Sequence, residues 1–257
     1  MLAAHAKAAQ YYLQQAKTSC PPQEKRRHIS DVHDLIEAIW QYCQAEQWQE
    51  AYDLMQAENV FNDLNLWGGN AILLELNLML VPPDKWHPEL FQEADIYLGL
   101  GKSYRALGRI KQARESYEQA LSIYQQLSNR RNEGVVLNDL GLIYNALGKN
   151  EDALKYFEQA LEIRREVGDR RGEGTTLWNL GALYFKKDRY DVALACLLLA
   201  RGIFEEVLSP SRDKAQTWID SLREEVGEQQ FATLLAQVEP EAHQIVEQAL
   251  HEDIPHV

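Results

Sequence analysis

The chain has 257 residues, enough for one large domain or two modest ones with ample core. It is rich in Leu, Ala, Glu and Gln and sparse in β-branched residues, which leans it toward helix. A net charge of −13 counts against a nucleic-acid partner.

The segment "MLAAHAKAAQYYLQQAK" is broken by His5, Lys7 and Gln10, so it reads as an N-terminal helix over 2–18 rather than a signal peptide. It ends before Pro21-Pro22. Cys20, Cys43 and Cys196 are odd in number, scattered and without a CxxC pair. That pattern points to a reducing compartment and against a disulfide framework or structural zinc. The stretch "LIEAIWQYCQAEQWQEAYDLM" follows, with the beginnings of a helix-turn-helix pattern. Ala71–Val81 has no clear polar face and is predicted to be a buried helix, followed by a stiff loop at Pro82-Pro83 and Pro88. The run "LNLMLV" is far too short to span a bilayer, so a cytoplasmic protein without membrane contact is expected.

Residues 94–213 repeat three times without a gap at a period of 40, as 94–133, 134–173 and 174–213. Leu100-Gly101, Leu140-Gly141 and Leu180-Gly181 correspond, and Tyr104, Tyr144 and Tyr184 follow three residues after each glycine. Then come Ala113, Ala153 and Ala193; next Tyr117, Phe157 and Leu197; and last Ala120, Ala160 and Ala200. The first set makes one stripe of a helix and the second a matching stripe on the next helix. Small residues let the backbones approach and large ones fill the space beside them, so each unit is a helical hairpin that needs a stacked neighbour. Gly108 and Gly148 suit the left-handed C-terminal turn. In the upstream stretch Tyr42 and Ala51 keep the spacing of Tyr144 and Ala153, marking a degenerate copy.

This repeat resolves the sequence "GLGKS" at residues 99–103. A phosphate-binding loop needs glycine at position 96, which is Ile96, and a preceding strand, whereas Phe91 to Leu107 reads as one helix. Gly101 is instead the packing glycine of its hairpin.

Downstream, Ala215, Trp218, Ile219, Leu222 and Val226 follow helical spacing and form the expected capping helix. Two short helices are expected near 228–237 and 240–251. Charge divides along the same lines: residues 1–93 and 214–257 each carry a net of −7, while 94–213 carry +1, and acidic ends of this kind serve solubility.

The Leu-Gly, Tyr, Ala, aromatic, Ala pattern resembles the tetratricopeptide repeat family. Its 40-residue period is longer than the common form and is similar to the repeats of kinesin light chains and polarity scaffolds, which bind extended peptides. The six extra residues are expected to lengthen the second helix and its loop, giving "LSNRRNEG" and "VGDRRGEG". The third repeat is worn, with Asp188 at the turn glycine and Arg201 where Leu121 and Leu161 stand. The implied fold is all-α: a right-handed superhelix (an α-solenoid) of roughly fourteen helices, with a divergent N-terminal segment (1–93) and a C-terminal helical cap (214–257). The whole chain also resembles the C-terminal sensor arm of bacterial STAND-type signalling ATPases. That likeness is carried by "DLIEAIWQYCQAEQWQEAYDLM", "LNLWGGNAILLELNLML", "VGDRRGEG" and the tail "SLREEVGEQQFATLLAQVEPEAHQIVEQAL".

By that resemblance, the concave groove is lined two before and two and five after each Leu: Leu98, Lys102 and Arg105; Asn138, Leu142 and Asn145; Trp178, Ala182 and Phe185. Asp139 and Asn179 adjoin them. Asparagines there hold the backbone of a bound peptide in the long-repeat relatives, offering a donor and an acceptor each. Trp178 and Phe185 supply an apolar anchor. The acidic-tail clamp of chaperone cofactors needs a fuller Lys/Asn/Arg set than this. Arg130-Arg131 and Arg170-Arg171 recur at 40 residues as loop pairs and are expected to bridge to acids such as Glu133 and Glu173.

Nothing in the sequence marks an enzyme. There is no GxSxG or HExxH, and the seven histidines (5, 28, 33, 87, 243, 251, 256) gather nowhere at ligand spacing. No cofactor, metal or catalytic residue is expected. The leading expectation is a non-catalytic interaction module holding a partner peptide or protein segment. The rival readings are a small-molecule or sugar sensor with Trp178 and Phe185 as a stacking platform, and a structural oligomerisation arm.

Overall fold

A computed structural model describes residues 1–81 and 84–253. The predicted stiff loop at Pro82-Pro83 and His256 lie outside the described residues. Among those described, every regular element is helical, and consecutive helices form hairpins. They divide into two compact units at Leu127–Ser128.

The first unit contains α1 (Leu2–Ser19), α2 (His33–Gln44), α3 (Trp48–Ala57), α4 (Val60–Leu66), α5 (Asn70–Leu80), α6 (Leu90–Ala106) and α7 (Ile110–Gln126). Short 3-10 turns at Gln23–Lys25 and Ile29–Val32 join α1 to α2. The stretch with Tyr42 and Ala51 folds as the α2–α3 pair, and the hairpin of the first 40-residue segment is α6–α7. The helix carrying the decoy "GLGKS" runs unbroken through it, without a strand. The core gathers Val32, Leu35, Ile39, Leu64, Leu73 and Ile96, among others. Helix α5 is not buried all round, as its sequence predicts. Leu73, Leu74, Leu76, Asn77 and Leu80 face inward, while Ala71, Glu75 and Leu78 keep a solvent stripe at helical spacing.

The second unit contains α8 (Arg130–Ala146), α9 (Asn150–Glu166), α10 (Arg170–Lys186), α11 (Tyr190–Glu206), α12 (Ser211–Val226), α13 (Glu228–Val238) and α14 (Ala242–Asp253). Hairpins α8–α9 and α10–α11 stack, α12 packs on α11, and α14 folds back over α11 and α9. That return explains the composition of α11. Positions 155, 158 and 159 of α9 are Lys, Glu and Gln; their counterparts in α11 are Ala195, Leu198 and Leu199. Ala195 is fully buried, and both leucines pack on the core that Val246, Ala249 and Leu250 of α14 join. The third repeat is apolar there because α14 covers it, whereas in the second Lys155 and Glu158 are half-buried and Gln159 is exposed.

The 40-residue period is not spent on a longer second helix. All six repeat helices have 17 residues; a three-residue turn follows each of the first five, and the four residues 207–210 follow α11. Left-handed residues recur every twenty positions, at Gly108, Ser128, Gly148, Gly168, Asp188 and Leu208. Both RR pairs therefore lie in the first turns of α8 and α10, not in loops. Leu208 sits at φ +51° with its side chain 90% exposed, so it bears the left-handed cost with little packing in return. Leu208→Gly is expected to raise stability by about 0.5–1 kcal/mol in urea denaturation.

Cys43 and Cys196 are buried, and burial pushes the Cys43 thiol up to about 12 and Cys196 higher still, which leaves both as inert core groups. Among the described residues no helix is long and apolar enough to cross a membrane.

Candidate functional site

The predicted groove residues fall on two units. Leu98, Lys102 and Arg105 lie along α6 in the first. The other eight lie on α8 and α10 in the second.

In the second unit, contact between α8 and α10 brings the asparagines together. Asn179 Nδ2 donates to Asn138 Oδ1 at 3.0 Å, and Thr176 Oγ1 donates to the same oxygen at 3.3 Å. Both asparagines are buried, Asn138 to 4% exposure, and Asp139 is buried beside them. Below them Arg164 of α9 donates through Nη1 to Thr176 Oγ1 at 3.1 Å and to the Gly172 carbonyl. Burial pulls the Arg164 guanidinium below its ordinary value, with Asp169 and Asp139 opposing. This buried network ties α8, α9 and α10 together, although among the described residues Arg164 Nε is buried without a partner. The acceptor of Asn138 is thus already used within the protein.

What faces outward is apolar. Leu142, Trp178 and Phe185 are half-buried and rooted in the core, and Ala182 and Asn145 are half-buried as well. Phe185 does not stand as a pair with Trp178. Its ring packs edge-on against Trp218 of α12 at 5.5 Å and tilts against Tyr190 at 5.7 Å. Among the described residues the buried Trp178 indole Nε1 has no hydrogen-bond partner. Trp218 extends this strip onto the capping helix, a continuation that the Leu-Gly offsets do not reach because α12 lacks that pair.

The arginine pairs behave in part as their spacing predicts. Arg130 bridges Glu133 at 2.8 Å and Glu166 at 2.7 Å; forty residues on, Arg170 bridges Glu173 at 2.5 Å and Glu206 at 2.6 Å. Glu173 also receives Arg165 at 3.0 Å, and Arg165 reaches Glu247 of α14 at 2.6 Å. The hydrogen bond from Arg170 holds Glu206 below the ordinary glutamate value. Its contribution to stability is therefore present above the unfolded-chain pKa and lost as pH falls through the folded one. Arg170→Gln should return the Glu206 titration, followed by carbon NMR, to the ordinary range.

In the first unit Leu98 is buried, Lys102 half-buried and Arg105 exposed, its Nε 3.4 Å from the Tyr117 hydroxyl. Leu98 and Lys102 line a cleft of about 170 Å³ together with Gln56, Asn59, Phe61, Asn62, Asp95 and Gly99. Lys102 Nζ lies 5.6 Å from the centre of the Phe61 ring. Asp95 accepts from Tyr52 at 3.2 Å and from Tyr124 at 2.5 Å, one hydroxyl on each oxygen. Burial, and then the nearby Asp95 charge, push the Tyr52 hydroxyl well above its usual value, so it remains a donor. The offsets miss Asp95 although it lies on the same face, one helical turn before Leu98.

The hairpins and the 40-residue period are those of tetratricopeptide-type repeats within this chain. The tetratricopeptide repeat family model matches residues 92–166, and repeats of this family make protein-interaction scaffolds. Among solved structures, BtubC (BKLC) from P. vanneervenii is 19% identical, with 100% of this chain and 93% of that chain covered at a TM-score of 0.53. Aspartyl phosphate phosphatase F from Bacillus subtilis is 14% identical, with 95% and 68% covered at a TM-score of 0.60. A kinesin light chain protein with nearly identical TPR-like repeats from Podosopora anserina is 21% identical, covering 84% and 96% at 0.46. At these identities the likeness to the first two is one of fold. No curated protein matches the sequence.

Proposed function

We propose that the chain is a non-catalytic scaffold that holds an extended partner segment on the α8–α10–α12 face, anchored by an apolar or aromatic side chain of the partner. The observation that carries this reading is the strip of half-buried apolar side chains at Leu142, Trp178, Phe185 and Trp218, rooted in the core. Side chains of this kind gain most from a partner that completes their burial, and tryptophan dominates such contacts. Asn145 offers a donor and an acceptor at the edge, while Asn138 and Asn179 support the face from beneath. In a STAND-type sensor arm, which the flanking motifs resemble, this is the face on which a stimulus would bind.

The test is selection of random peptides against the intact chain, followed by fluorescence anisotropy of the enriched ones. Trp178→Ala is expected to weaken them on the order of thirtyfold or more, consistent with an anchor worth about 2 kcal/mol. Equal affinity in the wild type and the variant would overturn the reading.

A further inference from the structure

The first unit carries a second site that does not depend on the proposed peptide face. Its cleft holds two charges of opposite sign, both half-buried. Among the described residues no basic group pairs with Asp95 and no acid pairs with Lys102. They cannot satisfy each other through the helix. Seven residues apart on α6, they share a face but stand two turns, about 10 Å, apart along its axis.

Each is instead held in place. Two tyrosine hydroxyls fix the Asp95 carboxylate, leaving lone pairs on each oxygen, and the Phe61 ring supports the Lys102 ammonium. Between them the floor is Gly99. A Cβ there would come 2.7 Å from Asn77 Oδ1 and 3.1 Å from the Phe61 ring, so the helix can approach α4 and α5 only without a side chain. Asn59, Asn62 and Gln56 border the opening with amide donors and acceptors, and Met55, Phe61 and Leu98 give it an apolar lining. The volume of about 170 Å³ equals roughly six water molecules, well below a drug-sized pocket.

We infer that this cleft binds an amino-acid-sized zwitterion, with its ammonium on Asp95, its carboxylate on Lys102 and its apolar portion against Phe61 and Leu98. A ligand with both charges completes two half-buried ions at once. A singly charged one leaves the other ion in place with only its present neighbours.

The experiment is isothermal titration of the whole chain with a panel of free α-amino acids, β- and γ-amino acids and simple dipeptides, beside their N-acetyl and C-amide forms. At least one zwitterion should bind saturably with a Kd below about 1 mM. Blocking either end should weaken it on the order of tenfold or more. Asp95→Asn should weaken the zwitterion and remove the penalty for N-acetylation, while Lys102→Gln should remove the penalty for amidation. A folding defect would not produce that pattern of selective insensitivity. The inference is overturned if no zwitterion gives saturable heat, or if the acetylated and amidated forms bind the wild-type chain as tightly as the free one.

Discussion

Replacing Gly141 by leucine is expected to destabilise the second unit by about 3 kcal/mol, the upper end of the usual overpacking cost. The site leaves no room even for a methyl group. A Cβ on Gly141 would lie 2.5 Å from the Phe157 ring, whose side chain is fully buried between the two helices of its hairpin. The ring cannot swing aside without opening the hairpin, because Ala153 and Ala160 flank it on α9 and are themselves fully buried. The same contact recurs at Gly101, 2.5 Å from the Tyr117 ring. Thermal unfolding should show a fall of roughly 3–5 °C per kcal/mol for a unit of this size. Phe157→Leu should restore part of the loss in Gly141→Ala, since the smaller side chain vacates the clash. Gly202→Ala is the internal control. A Cβ there meets nothing within 4 Å, so it should gain up to about 1 kcal/mol of helix propensity. An unchanged melting temperature in Gly141→Leu would mean that the hairpin register is wrong.

Arg26→Met is expected to cost the first unit about 3–5 kcal/mol. The guanidinium is buried between the segment after α1 and the α3–α4 turn. Its Nε donates to the Pro21 carbonyl at 2.9 Å, Nη1 to the Glu58 carbonyl at 2.6 Å and to Asp63 at 3.0 Å, and Nη2 to the Glu58 carboxylate at 2.8 Å. Removing it strands the Asp63 carboxylate, 11% exposed, without its cation, and that lost compensation supplies most of the penalty. Arg26→Lys should recover little, because a single ammonium cannot reach carbonyls and carboxylates in a planar fork. The double variant Arg26→Met, Asp63→Leu should be more stable than Arg26→Met alone, measured by urea denaturation. If Arg26→Met unfolds at the wild-type denaturant concentration, the buried ion cluster does not hold the turn.

The repeat was legible because its information is local. A glycine, an aromatic and two alanines at fixed offsets fix the contact between two adjacent helices, and Gly141 against Phe157 is that contact. The equal helix lengths were hidden because three of the six left-handed turn residues are Ser128, Asp188 and Leu208 rather than glycine. Arg26 sits in "EKRRHIS", where nothing in the spacing announces a buried ion pair 32 and 37 residues away. The return of α14 across α11 left a trace that can be read afterwards, in Leu198 and Leu199 at positions where the second repeat carries Glu158 and Gln159. For the candidate face, the offsets from each Leu-Gly name positions but carry nothing about their state. Asn138 and Asn179 bond to each other because their helices are neighbours, a fact about stacking rather than about either helix. Asp95 and Trp218 escaped for related reasons, the first lying on an unread turn of α6 and the second on a helix outside the repeat.

The proposed scaffold receives its partner on the strip formed by α8, α10 and α12. The most direct test is an amide and indole NMR titration of the intact chain with a selected peptide. Shifts should concentrate at Leu142, Asn145, Trp178, Phe185 and Trp218, the half-buried side chains of the strip. Shifts confined to α14 or to the outer faces of α9 and α11, with the Trp178 indole signal unmoved, would contradict that placement.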